Sequence, residues 1–270
     1  MKIGFFDSGL GGLTVLKEAI ENEGLNEEIY YLGDTKNTPY GTKEESFVKE
    51  VIEDNIKYLV DIGCNPIVIA CNTATCLSVN ELREKYKDIV IIGTEPAVKV
   101  AADAHMNKRI LVLATSITVR QEKLLNLVEN LHIKNEVDLV AADKLVRFAE
   151  SIDCNERGQE VEEYIKDILK EYDLKEYSHI VLGCTHFPLF VQNFKNVINE
   201  ICPEANIDIV DGAKGISKNL MNYINILKKE DEVVNKNVIK VITTKESEAF
   251  EIRAKQILNE HNLKFEYKLQ

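Results

Sequence analysis

The sequence lacks any long apolar run, and it has fewer basic than acidic residues. No stretch approaches the roughly 20 apolar residues that a membrane-spanning helix needs. A strand-like run begins at Lys2 with no signal-peptide pattern before it, so we expect a cytoplasmic protein without a membrane partner. The 33 Lys and Arg are outnumbered by 45 Asp and Glu, which gives a formal net charge of −12. This excess of acidic over basic side chains argues against a nucleic-acid partner, because phosphate binding needs clustered basic side chains.

The cysteines lack the spacings that are typical of zinc sites. Six are present, but none forms a C-x-x-C pair, and no His-x3–5-His pattern accompanies them. We therefore predict no metal site. A disulfide scaffold is not expected either, since the chain has 270 residues and no export signal. The thiols are expected to be reduced and available for chemistry.

Short apolar runs alternate with longer amphipathic stretches along almost the whole chain. Nine runs are predicted to be strands: 2–7, 28–33, 66–70, 89–92, 108–114, 137–141, 179–183, 207–210 and 238–243. Helical patterns lie between them at 12–22, 44–62, 76–86, 118–130, 157–171, 213–228 and 245–260. This alternation predicts an α/β fold with mainly parallel sheets that helices cover on both faces. So many strands favour two sheets with a cleft between them.

Two of the predicted strands end in a similar way. The predicted strand at 66–70 leads into Cys71-Asn72-Thr73, and the one at 179–183 leads into Cys184-Thr185-His186. Ligands bind beyond the carboxyl ends of parallel strands, so the two thiols would face one substrate from opposite sides. Such a pair can remove a proton from one face of a carbon and deliver one to the other. Backbone N–H groups at the following helix starts are expected to lower the thiol pKa from about 8.5.

Two further loops follow predicted strands. Asp7-Ser8-Gly9-Leu10-Gly11-Gly12 opens a helix, and its glycines admit a close approach of the backbone to an anion. It is not a dinucleotide fingerprint, because Thr14 occupies the third glycine position. The second loop, at 33–41, contains Pro, Gly and hydroxyl residues that suit a carboxylate. The alternatives are a capped strand–helix turn for the first loop and ordinary turn chemistry for the second.

Structural interpretations and rival functions stay open at this point. A free cysteine is often a small buried hydrophobe, and we interpret Cys64, Cys76, Cys154 and Cys202 in this way. A histidine near a strand end can be structural, and an acid such as Glu150 before a polar loop can be a solvated helix end. The rival functions are a decarboxylase with one cysteine as proton donor, a two-lobed amino-acid-binding protein and a thiol hydrolase.

Together the motifs resemble the glutamate racemase family, which belongs to the cofactor-independent aspartate/glutamate racemase superfamily. The resemblance covers nearly the whole chain and is carried by FDSGLGG (6–12), GDTKNTPYG (33–41), ACNTAT (70–75), GTEPA (93–97), ATSIT (114–118) and GCTHFPL (183–189). Aspartate racemases are less similar, because they typically have a glutamate where this chain has His186. Residues 142–150 depart from the usual family pattern Cys-Pro-x-Phe-Val-Pro-Leu-Val-Glu.

The resemblance implies an isomerase that interconverts L- and D-glutamate and supplies D-glutamate for peptidoglycan, and so for cell shape. It implies a homodimer that uses no cofactor. The implied fold is two flavodoxin-like domains related by pseudo-symmetry, residues 1–93 with 208–270 and residues 94–207, with the active site in the cleft between them.

The resemblance also implies roles for particular residues. Cys71 would take the α-proton of D-glutamate and Cys184 that of L-glutamate, with Asp7 and His186 as their assisting groups. The substrate-binding residues would be these four together with Ser8, Pro39, Tyr40, Gly41, Asn72, Thr73, Thr115, Glu150 and Thr185.

Overall fold

The computed structural model describes residues 1–104, 108–154, 156–227, 239–259 and 263–268. The strands in these ranges are β1 (Lys2–Asp7), β2 (Glu28–Gly33), β3 (Ile67–Ile69), β4 (Ile91–Gly93), β5 (Arg109–Ala114), β6 (Val137–Ala141), β7 (Tyr177–Leu182), β8 (Asp208–Asp211), β9 (Ile239–Thr243) and β10 (Leu263–Tyr267). Six form one sheet in the order β10-β9-β2-β1-β3-β4, and four form a second in the order β6-β5-β7-β8. All strand pairings within these ranges are parallel.

Helices connect the strands and cover the sheets. They are α1 (Leu13–Glu21), α2 (Glu45–Asp61), α3 (Asn72–Lys85), α4 (Val98–Ala104), α5 (Ser116–Arg120), α6 (Glu122–Asn130), α7 (Lys144–Glu150), α8 (Gly158–Leu169), α9 (Val191–Ile201), α10 (Ala213–Leu227) and α11 (Glu248–Ile257). Short 3₁₀ turns lie at Tyr40–Thr42, Lys134–Glu136, Leu174–Glu176 and Phe187–Phe190. Within the described ranges, no helix is both long and apolar enough to cross a bilayer.

The two sheets share one strand order. The run β2-β1-β3-β4 of the first sheet corresponds to β6-β5-β7-β8 of the second. The central strands have the continuous apolar sequences typical of parallel sheets buried on both faces, and β7 is buried along its whole length. This topology makes β3 and β7 equivalent strands. The residues that follow them, including the two cysteines, therefore occupy equivalent places in the two lobes.

The predicted α/β fold with two mainly parallel sheets is confirmed. The sequence patterns did not predict β10, α4, α7 or α9, and α3 begins at Asn72 instead of residue 76. Residues 228, 238 and 260 of the predicted elements lie outside the described residues. The domain boundaries stay a prediction. The second sheet includes β8, which pairs with β7, although the predicted boundary assigns residues 208–211 to the first domain.

Candidate functional site

The carboxyl ends of both sheets lie close together, and hydrogen bonds join the two lobes there. The Thr185 hydroxyl donates to Asp7 Oδ2 over 3.0 Å, and the Thr14 hydroxyl donates to the Thr185 carbonyl over 3.2 Å. The backbone N–H of Leu10 donates to Glu150 Oε1 over 2.8 Å. The loop after β1 therefore contacts residues that follow β7 and residues at the end of α7.

Cys71 ends the connection from β3 and caps the N-terminus of α3. Its sulfur accepts a hydrogen bond from the backbone N–H of Ala74 over 3.4 Å, and its thiol donates to Ser8 Oγ over 3.8 Å. The side chain is buried, and burial raises the thiol pKa well above its usual range, with a further contribution from the charge of Asp7. The expected lowering of this pKa is wrong. The Ala74 N–H does favour the thiolate, but removing the sulfur from water has the larger effect.

Cys184 occupies the equivalent place after β7 and begins a chain of polar contacts. Its sulfur lies 3.7 Å from His186 Nδ1, and His186 Nε2 lies 2.7 Å from Glu150 Oε1. Burial alone would lower the pKa of His186, but the hydrogen bonds to Cys184 and Glu150 outweigh it and hold the pKa well above its usual range. The arrangement favours an imidazolium between a sulfur and a carboxylate, which is suited to stabilising a thiolate.

Asp7 ends β1 and is fully buried between the lobes. Its Oδ1 accepts the Gly9 N–H over 3.0 Å, and its Oδ2 accepts the Thr185 hydroxyl. Burial raises the pKa of this carboxyl, while the charge of His186 lowers it in part. The Asp7 carboxylate is hydrogen-bonded to Gly9 and Thr185, and its influence on the Cys71 thiol is electrostatic.

The glycines after β1 leave room for the opposite lobe. A Cβ on Gly9 would overlap Glu150 Oε1, and a Cβ on Gly11 would overlap the Thr185 hydroxyl and the His186 ring. Neither glycine has a positive φ, so close approach is what each position requires. Larger side chains here would force the lobes apart.

The loop after β2 carries Tyr40 and Gly41 on a 3₁₀ turn, directly after Pro39. The buried Tyr40 hydroxyl donates to Asp34 Oδ2 over 2.6 Å, and burial raises the phenol pKa. A Cβ on Gly41 would overlap Asp143 Oδ1 and Thr115 Cβ, so this loop also contacts the second lobe closely.

Hydroxyl groups from both lobes meet at the start of α3 and α5. Thr73 Oγ1 lies 2.9 Å from Thr115 Oγ1 and 3.3 Å from Thr118 Oγ1, and the last two are 2.9 Å apart. Beside them the buried Asn72 Oδ1 has no hydrogen-bond partner within the described part of the chain. An unpaired buried carbonyl costs free energy, so this atom is suited to accepting a hydrogen bond from a ligand.

The structure thus brings the sequence-predicted residues to one place, although their catalytic and binding roles stay predictions. No catalytic or binding role was predicted for Asp34, Thr118 or Asp143, although Asp34 lies in the loop at 33–41 and Thr118 in the motif at 114–118. Asp34 comes directly after β2, and Asp143 comes shortly after β6. A position at the carboxyl end of a strand is also what identified Asp7 from the sequence. In the described residues, no group of three His, Cys, Asp or Glu side chains is arranged to hold a metal ion.

The comparisons with known proteins agree with this architecture. The family model for Asp/Glu/Hydantoin racemase matches residues 15–215. A glutamate racemase of Halothermothrix orenii is 43% identical over 224 residues, covering 83% of this chain and 85% of the relative. Glutamate racemase 2 of Bacillus subtilis is 43% identical over 226 residues, covering 83% of this chain and 82% of that protein.

Solved structures are similar over almost the whole chain. The crystal structure of a glutamate racemase isoform from Bacillus anthracis has a TM-score of 0.85 at 25% identity, covering 99% of this chain and 97% of that one. A glutamate racemase from Francisella tularensis in complex with D-glutamate has a TM-score of 0.81 at 25% identity, with the same coverage. On the family match and the relatives together, this chain belongs to the Asp/Glu/hydantoin racemase family.

Proposed function

We propose that this protein is a glutamate racemase that interconverts L- and D-glutamate with Cys71 and Cys184 as the two acid/base groups. The observation that carries the proposal is the equivalent placement of the two thiols after β3 and β7 in lobes that meet at their carboxyl edges. A negative charge on Cys184 raises the pKa of Cys71, so the two sulfurs lie within electrostatic reach.

The proton balance of the reaction requires one thiolate and one thiol. For D-glutamate, the Cys71 thiolate takes the α-proton and the Cys184 thiol gives its proton to the opposite face of the carbon. For L-glutamate the roles are exchanged. Each turnover therefore moves one proton in and one out, with no oxidation and no cofactor in the proposed scheme.

The raised pKa of Cys71 favours the form of the free enzyme in which this group is a thiol. That form is ready to donate from Cys71, while the His186 imidazolium stabilises negative charge on Cys184. When Cys71 acts as the base, substrate contacts must replace the water that burial removed. The Ala74 N–H at the start of α3 favours the thiolate at that moment.

Neutral donors around the substrate would hold its carboxylates and spread the charge that develops on the α-carbon. The candidates are Ser8, Tyr40, Gly41, Asn72, Thr73, Thr115 and Thr185, with Pro39 shaping the loop and Glu150 acting through His186. A cavity of about 10 Å³ beside Asn72 and Cys184 is too small for an amino acid. We propose that the lobes separate to admit the substrate and that their closure then excludes water.

We further propose that the enzyme is a cytoplasmic homodimer and that its D-glutamate is used for peptidoglycan, and so for cell shape. The support is family membership, since the relatives are named glutamate racemases. The decarboxylase and binding-protein alternatives use one thiol or none, and the paired geometry gives them no support. A thiol hydrolase would use one nucleophilic cysteine, and it would leave the second, equivalently placed thiol without a role.

The test uses the purified protein with each enantiomer in heavy water and no added cofactor. Proton NMR follows exchange of the α-proton, and circular dichroism follows net racemisation. We expect Cys71→Ser to lose exchange of D-glutamate and Cys184→Ser to lose exchange of L-glutamate, each by at least about 100-fold. Cys76→Ser is the matched control, because Cys76 is a half-buried thiol on α3 outside the hydrogen-bonded site.

Normal racemisation by either active-site variant would rule out the two-thiol mechanism. Release of carbon dioxide from the wild-type protein would indicate a decarboxylase instead. Binding of glutamate without loss of optical activity, unaffected by alkylation of both thiols, would indicate a binding protein.

A further inference from the structure

Asp143 forms hydrogen bonds with the first residue of α5, and it has no role in the reaction proposed above. It lies between β6 and α7, at the same edge of the second sheet as Thr115 and Cys184. Its Oδ1 and Oδ2 accept the backbone N–H of Ser116 over 3.1 and 3.0 Å, and Oδ2 also accepts the Ser116 hydroxyl. Ser116 is the first residue of α5.

The geometry of α5 depends on such contacts because the helix has only five residues. A helix this short has little stability of its own, and its first N–H groups have no acceptor within the helix. Asp143 supplies the acceptor for Ser116, while the Thr115 hydroxyl accepts the Thr118 N–H over 3.3 Å. The two contacts together fix the backbone and the side-chain rotamer of Thr115.

Thr115 and Asp143 both face the first lobe. The Thr115 hydroxyl lies 2.9 Å from that of Thr73 on α3. A Cβ on Gly41 would overlap both Asp143 Oδ1 and Thr115 Cβ, so the carboxylate packs against the backbone of the loop after β2. Asp143 is thus placed between the helix that presents Thr115 and the loop that presents Gly41.

We propose that Asp143 is a positioning residue for substrate binding, which holds the first turn of α5 so that Thr115 faces Thr73 and Gly41 across the cleft. This inference rests on the proposed function, in which Thr115 and Gly41 contact the substrate. Asp143 acts through Ser116 and Thr115 and is not assigned a contact with the substrate itself.

The experiment compares KM and kcat of Asp143→Ala, Asp143→Asn and wild type with both enantiomers of glutamate. In Asp143→Ala we expect KM to rise about tenfold, because the binding free energy lost is roughly that of one hydrogen bond. We expect kcat to stay within about threefold of wild type. Asp143→Asn keeps an oxygen that can accept the Ser116 N–H, so it should restore KM to within about threefold of wild type.

A matched control is Asp173→Ala. Asp173 accepts the Lys175 N–H at the start of a 3₁₀ turn before β7, at the opposite edge of the sheet from the site. Its loss should leave KM and kcat unchanged. Ser116→Ala is a second test that does not depend on the folding of Asp143→Ala, because it removes the hydroxyl donor alone. We expect it to raise KM by a smaller factor.

Unchanged KM in both Asp143→Ala and Ser116→Ala, with an active wild-type enzyme, would overturn the positioning role alone. Equal impairment in folded Asp143→Asn and Asp143→Ala would also overturn it, since it would mean that the negative charge itself binds the substrate ammonium. A wild-type protein that does not racemise glutamate would instead overturn the proposed function and, with it, this inference.

Discussion

Glu150 offers a test of how the two thiols divide the reaction. Its Oε1 accepts hydrogen bonds from His186 Nε2 over 2.7 Å and from the Leu10 N–H over 2.8 Å. Glu150→Gln keeps an oxygen for both donors and removes only the charge. The imidazolium then binds Cys184 less well, because its protonated form loses a charged partner.

The magnitude follows from the hydrogen bond that changes. A hydrogen bond that involves a charged group contributes about 1.5–3 kcal/mol and a neutral one about 0.5–1.5 kcal/mol. The substitution should therefore weaken the stabilisation of the Cys184 thiolate by the His186 imidazolium by roughly 1–1.5 kcal/mol. That corresponds to about a five- to twelvefold slower proton transfer at Cys184. Transfer at Cys71 is expected to be unaffected.

Net racemisation rates alone do not reveal this asymmetry. The enantiomers have equal free energies in water, so kcat/KM must be the same in both directions for every variant. Exchange of the α-proton with solvent is different, because it reports one thiol at a time. For Glu150→Gln we expect exchange of L-glutamate and racemisation to fall together, while exchange of D-glutamate is retained.

The assay is proton NMR of each enantiomer in heavy water, at early times, with circular dichroism in parallel. The matched control is Glu162→Gln, since Glu162 Oε1 also accepts two hydrogen bonds, from Asn193 and Asn196, but on α8 and α9 away from the site. An equal loss of exchange for both enantiomers, or no loss for either, would refute the assignment of Glu150 to the Cys184 side.

Two further predictions concern the residues around the cleft. Asp7→Asn removes a buried carboxyl whose pKa is higher in the folded than in the unfolded protein, so wild type loses stability as pH rises from the unfolded pKa of about 3.9 through the folded pKa. Thermal unfolding should therefore show the variant gaining stability relative to wild type over that pH range, and a difference that stays constant across pH would contradict this. Gly11→Ala should lower kcat/KM by at least about tenfold, because the added methyl group overlaps the Thr185 hydroxyl and the His186 ring, whereas Gly158→Ala, with open space around it, should have no effect in the same racemisation assay.

The sequence allowed the fold and much of the site to be predicted for a local reason. Parallel strands place their carboxyl ends at one edge, and Asp7, Cys71 and Cys184 each follow a strand closely. The strand pattern therefore indicated which polar side chains would meet. Asp143 follows β6 in the same way, and the same rule applied to every strand would have identified it.

Other features depend on contacts between distant segments. Glu150 resembles a solvated helix end in the sequence, yet its carboxylate accepts the N–H of Leu10, 140 positions away. The pKa of Cys71 was predicted in the wrong direction because the helix N-terminus is visible in the sequence, whereas burial of the thiol in the folded protein is not. α7 has only seven residues, which is too short for a clear helical period. α9 was missed although Val191, Phe194, Ile198 and Ile201 recur at helical spacing, so the pattern was present in the sequence.

The electrostatic coupling of Cys71 to Cys184 has a consequence for the free enzyme. Since charge on one sulfur opposes charge on the other, the proposed site holds one proton shared between two sulfurs, and the position of that proton records which enantiomer was released last. The enzyme then exists as two tautomers, and each binds one enantiomer productively. At saturating substrate, transfer of the proton from one sulfur back to the other becomes a step of the catalytic cycle. The isotope content of the product would then report the rate at which the two tautomers of the free enzyme interconvert.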